Sequence, residues 1–204
     1  MEQGTDEWVE ARKGFLTSSH IDAVLAKGKG VTRRNYKVRV FLERMTGVVH
    51  MNDFSNRYMD DGIEQEPFAR GMYEAVRGED VEQVGFLIHP DMQFFGASPD
   101  GLVGTDGLTE YKCPSQGVHW DYYDNPKVPR KYVLQMQGQM MVTNRQWCDW
   151  VSYNKDFPPH MQLIVRRVER DERLIEEITA GLMLLNSEID VRVEEEKVKA
   201  EEVA

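Results

Sequence analysis

Apolar positions recur at two different periods along this chain, and the change of period divides it. Thr5 can cap a short helix that carries Asp6 and Glu7 in its first turn, where the helix dipole favours acids. That helix should run to about Lys13 and end at Gly14. A second can begin after Ser18 or Ser19, with Ile21, Val24 and Leu25 on one face. From Arg34 to Thr46, Val38, Phe41, Leu42 and Met45 fall at the i, i+3, i+4, i+7 spacing of a buried helical stripe, and Gly47 stops it. A further helix is predicted from about Asn56 to Arg77, tolerating Gly62 and Gly71. There the period shortens. Residues 84–88, 94–97, 108–113, 147–153 and 163–168 are short apolar or alternating runs of strand type. A helix from about Arg130 to Val142 separates the third run from the fourth. A last helix follows Asp171, with Leu174, Ile178, Leu182, Leu185 and Ile189 as its inner face. That order predicts an α/β domain, a mixed central β-sheet flanked by helices.

A length of 204 residues favours one domain, which we place at 1–187. Residues 188–204 carry seven acids, beginning at Glu188, against Arg192, Lys197 and Lys199, and read as an acidic helix end or frayed tail. With 41% hydrophobic and 29% charged residues the chain is too apolar to be disordered. The apolar runs are too short for a membrane-spanning helix and the first twenty residues lack a signal-peptide core, so the expected location is cytoplasmic. Two distant cysteines, Cys113 and Cys148, exclude a disulfide framework, a cysteine zinc site and a four-cysteine iron–sulfur site. Lys27-Gly28-Lys29-Gly30 lacks the spacing of a phosphate-cradling P-loop, and no histidines have metal-pair spacing. The net charge of −10 restricts any nucleic-acid contact to a local basic site, with metal ions neutralising the carboxylates.

The segment from Ser98 to Pro114 is the most informative. Thr105-Asp106-Gly107 suits a three-residue hairpin loop ending in a glycine at positive φ. That loop pairs Gly104 with Leu108 and places Asp100 opposite Lys112 and Leu102 opposite Glu110. Asp100, Glu110 and Lys112 then share one face. A two-residue Asp-Gly turn would shift the register by one and send Asp100 to the other face. Close carboxylates in a partly dry site repel by several kcal/mol at an effective dielectric of about 20, so a proton or a cation must sit between them. A hard ion such as Mg²⁺ could take Asp100, Glu110 and the main-chain carbonyl of Tyr111, while Lys112 orients or deprotonates an attacking water. Such a site can hydrolyse a phosphodiester. The same residues also suit a surface hairpin with an incidental salt bridge.

Five segments narrow the reading: Trp8 to Ser19 (WVEARKGFLTSS), Gly62 to Arg70 (GIEQEPFAR), Ser98 to Gly101 (SPDG), Glu110 to Pro114 (EYKCP) and Gln135 to Thr143 (QMQGQMMVT). In order, across about residues 3 to 185, the chain resembles the phage lambda exonuclease family, also called YqaJ-like viral recombinases, among the PD-(D/E)XK nucleases. The resemblance implies a restriction-endonuclease-like core. By the same resemblance Asp100 and Glu110 are the metal-binding acids, Lys112 the catalytic lysine and Glu66 a further acid of the site. Gln135 closes the site, and Arg12, Ser19 and Ser98 hold the 5′-phosphate of a DNA end. Trp8, one turn before Arg12, either packs on the DNA end or belongs to the core. Met59 is the nearest candidate for an apolar wedge between the strands, although Asp60 and Asp61 follow it. Lys27, Lys29, Arg33 and Arg34 are either a DNA contact or a solvated loop. The implied activity is a 5′→3′ exonuclease on double-stranded DNA ends, releasing mononucleotides and leaving a 3′ single strand for an annealing protein. The implied cofactor is Mg²⁺, replaceable by Mn²⁺, with two ions per site expected although the sequence leaves their number open. A homotrimeric ring of a phage or prophage protein in a bacterial host completes the expectation. Two alternatives stand beside it: a PD-(D/E)XK endonuclease of structure-specific or restriction type, and a non-catalytic DNA-end-binding subunit.

Overall fold

The computed structural model describes residues 3–26, 31–50 and 57–203, with the backbone alone for 57–63. Thr5 accepts a hydrogen bond from the Trp8 N–H and starts α1 (Asp6–Ala11). Gly14, at φ 75°, turns the chain into β1 (Leu16–Thr17), followed by a 3₁₀ turn over Ser18–His20 and α2 (Ile21–Val24). Next come α3 (Val31–Thr46), α4 (Arg57–Arg77), β2 (Val81–Glu82), β3 (Leu87–Ile88), β4 (Phe95–Ala97), β5 (Gly101–Val103) and β6 (Gly107–Lys112). The remainder is α5 (Gln116–Asp124), α6 (Arg130–Thr143), β7 (Trp147–Tyr153), β8 (Leu163–Glu169) and α7 (Glu172–Val203).

The larger sheet has the order β2-β5-β6-β7-β8, antiparallel throughout except for the parallel β6–β7 pair. A parallel pair needs a long crossover, and α5 and α6 supply it. Strand β7 is buried along nearly its whole length, as its central place between two strands and two helical layers requires, with Asp149 and Ser152 buried among its apolar residues. On one face Ala69 and Tyr73 of α4 cover Val103, Tyr111 and Val151. On the other, Met136 and Met140 of α6 cover Leu108, Cys148 and Trp150. A second sheet, β1-β4-β3, with β1 and β4 parallel, shares a core with α2, α3 and α7 built on Leu16, Phe95, Val40, Ile178 and Leu182. Each such fully buried side chain contributes about 1.5–3 kcal/mol of hydrophobic stabilisation. The architecture is therefore the expected mixed sheet flanked by helices.

Two local expectations are corrected. The hairpin loop is Gly104-Thr105-Asp106, closed by Val103 opposite Gly107, with Leu102 opposite Leu108 and Gly101 opposite Thr109. Gly104 carries the positive φ, 50°, and Gly107 instead lies under Trp147, whose Cζ2 is 2.1 Å from where a Cβ would stand. The register thus slides by two residues; because the strand period is two, the shared face survives. In α3 the buried residues are Tyr36, Val40 and Glu43, while Val38 is 42% exposed. The helix is rotated because two polar tips are used inside: Tyr36 Oη accepts the Thr17 N–H at 2.8 Å, and Glu43 accepts the N–H groups of Gly14 and His50. Strands β1 and β2 and helix α5 were not foreseen; α5 buries only His119. Helix α7 runs unbroken past residue 188, and its buried face includes Ile175, Ile189 and Val193, while Leu174 is partly buried. Among the described residues, no helix is long and apolar enough to cross a membrane.

Candidate active site

The hairpin and α6 together build a carboxylate centre. Glu110, on the β6 face that meets α6, has no solvent exposure. Its Oε1 accepts from Lys112 Nζ at 2.5 Å and from Gln135 Nε2 at 2.7 Å, and its Oε2 accepts from Gln139 Nε2 at 2.5 Å. Asp100 precedes β5, and its Oδ2 accepts the Tyr111 N–H at 2.6 Å. That N–H lies beyond the last β5–β6 pair; a strand residue turns its N–H and C=O to the same neighbour, so the Tyr111 carbonyl also faces Asp100. Glu66 comes from α4, half-buried and in the field of both Glu110 and Lys112. The Lys112 ammonium stands 5.2 Å from the Tyr132 ring centroid.

The charges are not balanced. Burial, then the charge of Glu110, pushes the Asp100 carboxyl well above its ordinary range, against the pull of Lys112. Burial also raises Glu66, with Glu110 adding to it. For Lys112 burial alone would favour the neutral amine, but Glu110 and Asp100 hold it above its ordinary value as a cation. One ammonium among these acids leaves negative charge over, and the donors are all oxygen. That set suits a hard divalent ion such as Mg²⁺ or Mn²⁺. Among the described residues, no three Asp, Glu, His or Cys side chains form a ready-made metal cage, because Glu110 is turned onto Lys112 and the two glutamines. The neighbouring Cys113 thiol is pushed up to about 12 by burial and then by Glu66, so it is no nucleophile at neutral pH.

Two residues before Asp100, Ser98 begins a second, cationic pocket. The Trp8 indole N–H donates to Ser98 Oγ at 2.9 Å, the Arg12 guanidinium lies 4.0 Å from the Trp8 ring centroid, and Arg12 Nη2 donates to Ser19 Oγ at 3.3 Å. Trp8, Arg12, Ser19 and Ser98 are thus brought together, with Trp8 half-buried as the platform under the guanidinium. Arg12 has no carboxylate partner among the described residues, and burial, with the like charge of Arg39 adding, lowers its guanidinium to about 10. A half-buried guanidinium flanked by hydroxyls has the donor set that suits an anion. The two pockets adjoin because α6 runs close to the Ser18–His20 turn. A Cβ on Gly138 would lie 2.3 Å from Ile21 Cδ1 and 3.1 Å from Ser18 Cβ.

Sequence reasoning missed Gln139, Thr17, His20, Tyr36 and Arg39. Gln139 had a signal, since it lies one helical turn after Gln135 and so on the same face. Thr17 and His20 had only their nearness to Ser19, which they meet at 3.3 and 3.0 Å, and Tyr36 and Arg39 had none, for they reach the pocket through packing of α3 against β1 and the turn. Of the remaining candidates, Lys27, Lys29 and the side chain of Met59 lie outside the described residues. Arg33 is engaged with Glu188 at 2.9 and 3.0 Å, and Arg34 is exposed.

Residues 7–146 match the family model of the YqaJ-like viral recombinase domain. The structure is similar to that of LHK-Exo, an alkaline exonuclease from Laribacter hongkongensis, at TM-score 0.92 and 41% identity over 98% of this chain and 100% of that one. LHK-Exo in complex with dAMP matches with TM-score 0.93 and 42% identity at the same coverage. A phage-related exonuclease from Haemophilus somnus shares the fold at TM-score 0.75 and 16% identity, over 89% of this chain and 96% of that one. An uncharacterized protein of Acanthamoeba polyphaga mimivirus, R354, is 26% identical over 168 residues, 76% of this chain. The match spans 30% of that relative's own length.

Proposed function

The chain belongs to the YqaJ-like viral recombinase family, and on that premise we propose that it is a metal-dependent nuclease that degrades double-stranded DNA 5′→3′ from its ends. The observation that carries this reading is Glu110: a carboxylate with no solvent exposure, held by one ammonium and two amides beside Asp100. Burying a charge is costly unless it is paired and hydrogen-bonded, and such an arrangement is characteristic of a working site. A divalent ion held by Asp100, Glu110 and the Tyr111 carbonyl, with Glu66 assisting, would polarise the phosphodiester and acidify a bound water. Lys112 Nζ, kept cationic by Glu110 and Asp100, donates to the attacking water and orients it. Gln135 and Gln139 fix the Glu110 carboxylate in one rotamer. Arg12, Ser19 and Ser98 hold the terminal 5′-phosphate. Water attacks the next phosphorus and the P–O3′ bond breaks, so a 5′-mononucleotide leaves with a 3′-hydroxyl and the shortened strand again ends in 5′-phosphate. Each turnover therefore regenerates the group that the Arg12 pocket accepts.

The strand left behind is a 3′ single-stranded tail, the substrate of an annealing protein, and a homotrimeric ring would keep the enzyme on its duplex. The test is a 5′-labelled linear duplex with Mg²⁺ beside a closed circular duplex. The expected result is labelled mononucleotide from the linear DNA, an intact circle, and no release by Asp100→Ala with folding retained. Nicking of the circle would make the protein an endonuclease, and undiminished release by Asp100→Ala would remove the carboxylate centre from the chemistry.

A further inference from the structure

The cationic pocket contains one group that the proposed reaction has not used. His20 lies between the two hydroxyls and the second guanidinium: its Nδ1 is 3.0 Å from both Thr17 Oγ1 and Ser19 Oγ, and its Nε2 is 3.4 Å from Arg39 Nη1. Its ring is stacked on Tyr36, with centroids 4.6 Å apart and an interplanar angle of 8°, so its plane is fixed. Arginine has donors only, so Nε2 must accept, and a neutral imidazole that accepts at Nε2 carries its proton on Nδ1. The tautomer follows from the partners.

That assignment fixes the polarity of Ser19. Its oxygen accepts from Arg12 Nη2 on one side and, on the other, from the His20 Nδ1–H that it shares with Thr17 Oγ1, which engages both lone pairs. Ser19 can then give only its hydrogen, to Thr17 Oγ1 at 3.3 Å while the pocket is empty and to a better acceptor approaching from solvent. Such a hydroxyl welcomes an acceptor-only group, as a phosphate monoester dianion is, and gives a donor nothing.

We infer that His20 is a positioning residue of this pocket: as the neutral Nδ1–H tautomer, set by Arg39, it turns the Ser19 hydroxyl into a dedicated donor for a terminal phosphate and so makes the enzyme prefer phosphorylated over hydroxyl DNA ends. The inference rests on the proposed reading of the Arg12 pocket as the 5′-phosphate site. Burial and then the charges of Arg39 and Arg12 lower His20 to about 3, so it stays neutral through the working range and is not itself a cationic phosphate ligand. The groups facing it are Arg12, just past the end of α1, and Tyr36 and Arg39 from α3, with Glu43 paired to Arg39 at 3.7 Å; no carboxylate among the described residues acts on it directly.

The experiment compares kcat/KM on two linear duplexes that differ only in a 5′-phosphoryl or 5′-hydroxyl end, for the wild type, His20→Ala, His20→Asn and His20→Gln. The wild type should favour the phosphorylated end. His20→Ala should lose about tenfold of that preference, the worth of one hydrogen bond to a charged group, with the loss falling mainly on phosphorylated ends. His20→Asn, whose amide reaches the place of Nδ1, should recover part of the ratio, and His20→Gln should not. Nitrogen-15 spectra of the wild-type imidazole should show a protonated Nδ1 and an unprotonated Nε2. An unchanged ratio in His20→Ala, an equal fall on both ends, or the opposite tautomer would overturn the role of His20 while leaving the pocket standing. A wild type indifferent to the phosphate would overturn the pocket itself, and the role with it.

Discussion

At the scale of single residues, the centre depends on how Glu110 is held. Its two oxygens receive three hydrogen bonds, and the one from Gln139 is wholly buried. Replacing Gln139 by leucine leaves Oε2 of a buried carboxylate without its donor. The expected loss is about 1–3 kcal/mol of stability, read as a lowered denaturant midpoint, together with slower nucleotide release. An unchanged midpoint would show that water substitutes for the amide. Asp100, Glu110 and Lys112 were legible in the sequence because one hairpin fixes all three, and alternation along a strand needs no knowledge of the rest of the fold. Gln135 and Glu66 required the family resemblance, since they reach Glu110 and Lys112 from helices distant along the chain. The roles of His20 and Arg39 were not legible; the turn meets α3 through the His20–Tyr36 stack and the His20–Arg39 contact, which only the packed fold creates.

Between elements, two contacts set the geometry. Gly138 lets α6 lie against the Ser18–His20 turn, which joins the helix carrying both glutamines to the segment carrying Ser19. Gly138→Ala should destabilise the fold by about 1–3 kcal/mol through overpacking and slow cleavage by parting the two pockets. Thermal unfolding and turnover on phosphorylated ends measure the two effects. Asp149 ties β7 to its neighbours: it accepts from Tyr73 Oη at 2.9 Å, Arg77 Nη2 at 3.0 Å and Arg167 Nε at 2.9 Å. Burial alone would raise its carboxyl, but the hydrogen bonds from Arg167, Arg77 and Tyr73 hold it below the ordinary range. The unfolded value is about 3.9, so the stabilisation is complete above that pH and is lost as the pH falls through the lower, folded value. Asp149→Asn should therefore cost most stability near neutrality, with the gap from the wild type closing below about pH 4. A gap that stays constant down to pH 2 would contradict the linkage. Helices α6 and α7 were readable because their apolar stripes are long. Helix α5 was not, because its aromatic residues Trp120 and Tyr123 remain exposed and leave no stripe to count. The hairpin register slid because Gly104 and Gly107 each suit a turn, and the ring of Trp147 over Gly107, with Arg145 donating to the carbonyls of Val103, Gly104 and Gly107, decides between them.

For the whole molecule, a net charge of −10 means that the proposed duplex substrate would meet a mostly repulsive surface and would have to be gripped locally. Few phosphates are then neutralised per protomer, so the affinity should fall with salt less steeply than for a basic DNA-binding protein. Titrations at several salt concentrations measure the slope. The proposed ring predicts a solution mass three times the 23.7 kDa of the chain by light scattering, and a monomer at working concentration would remove the ring from the account. Helix α7, at 32 residues, is about 48 Å long. Its last buried side chain is Val193, and beyond it neighbouring turns are joined by Lys197–Glu194 and Lys199–Glu196 contacts, both 2.9 Å. One continuous helix is therefore rigid at one end and held by screened charges at the other. Amide hydrogens near Leu182 should exchange only when the domain opens, those past Val193 far sooner, and added salt should hasten the second group alone.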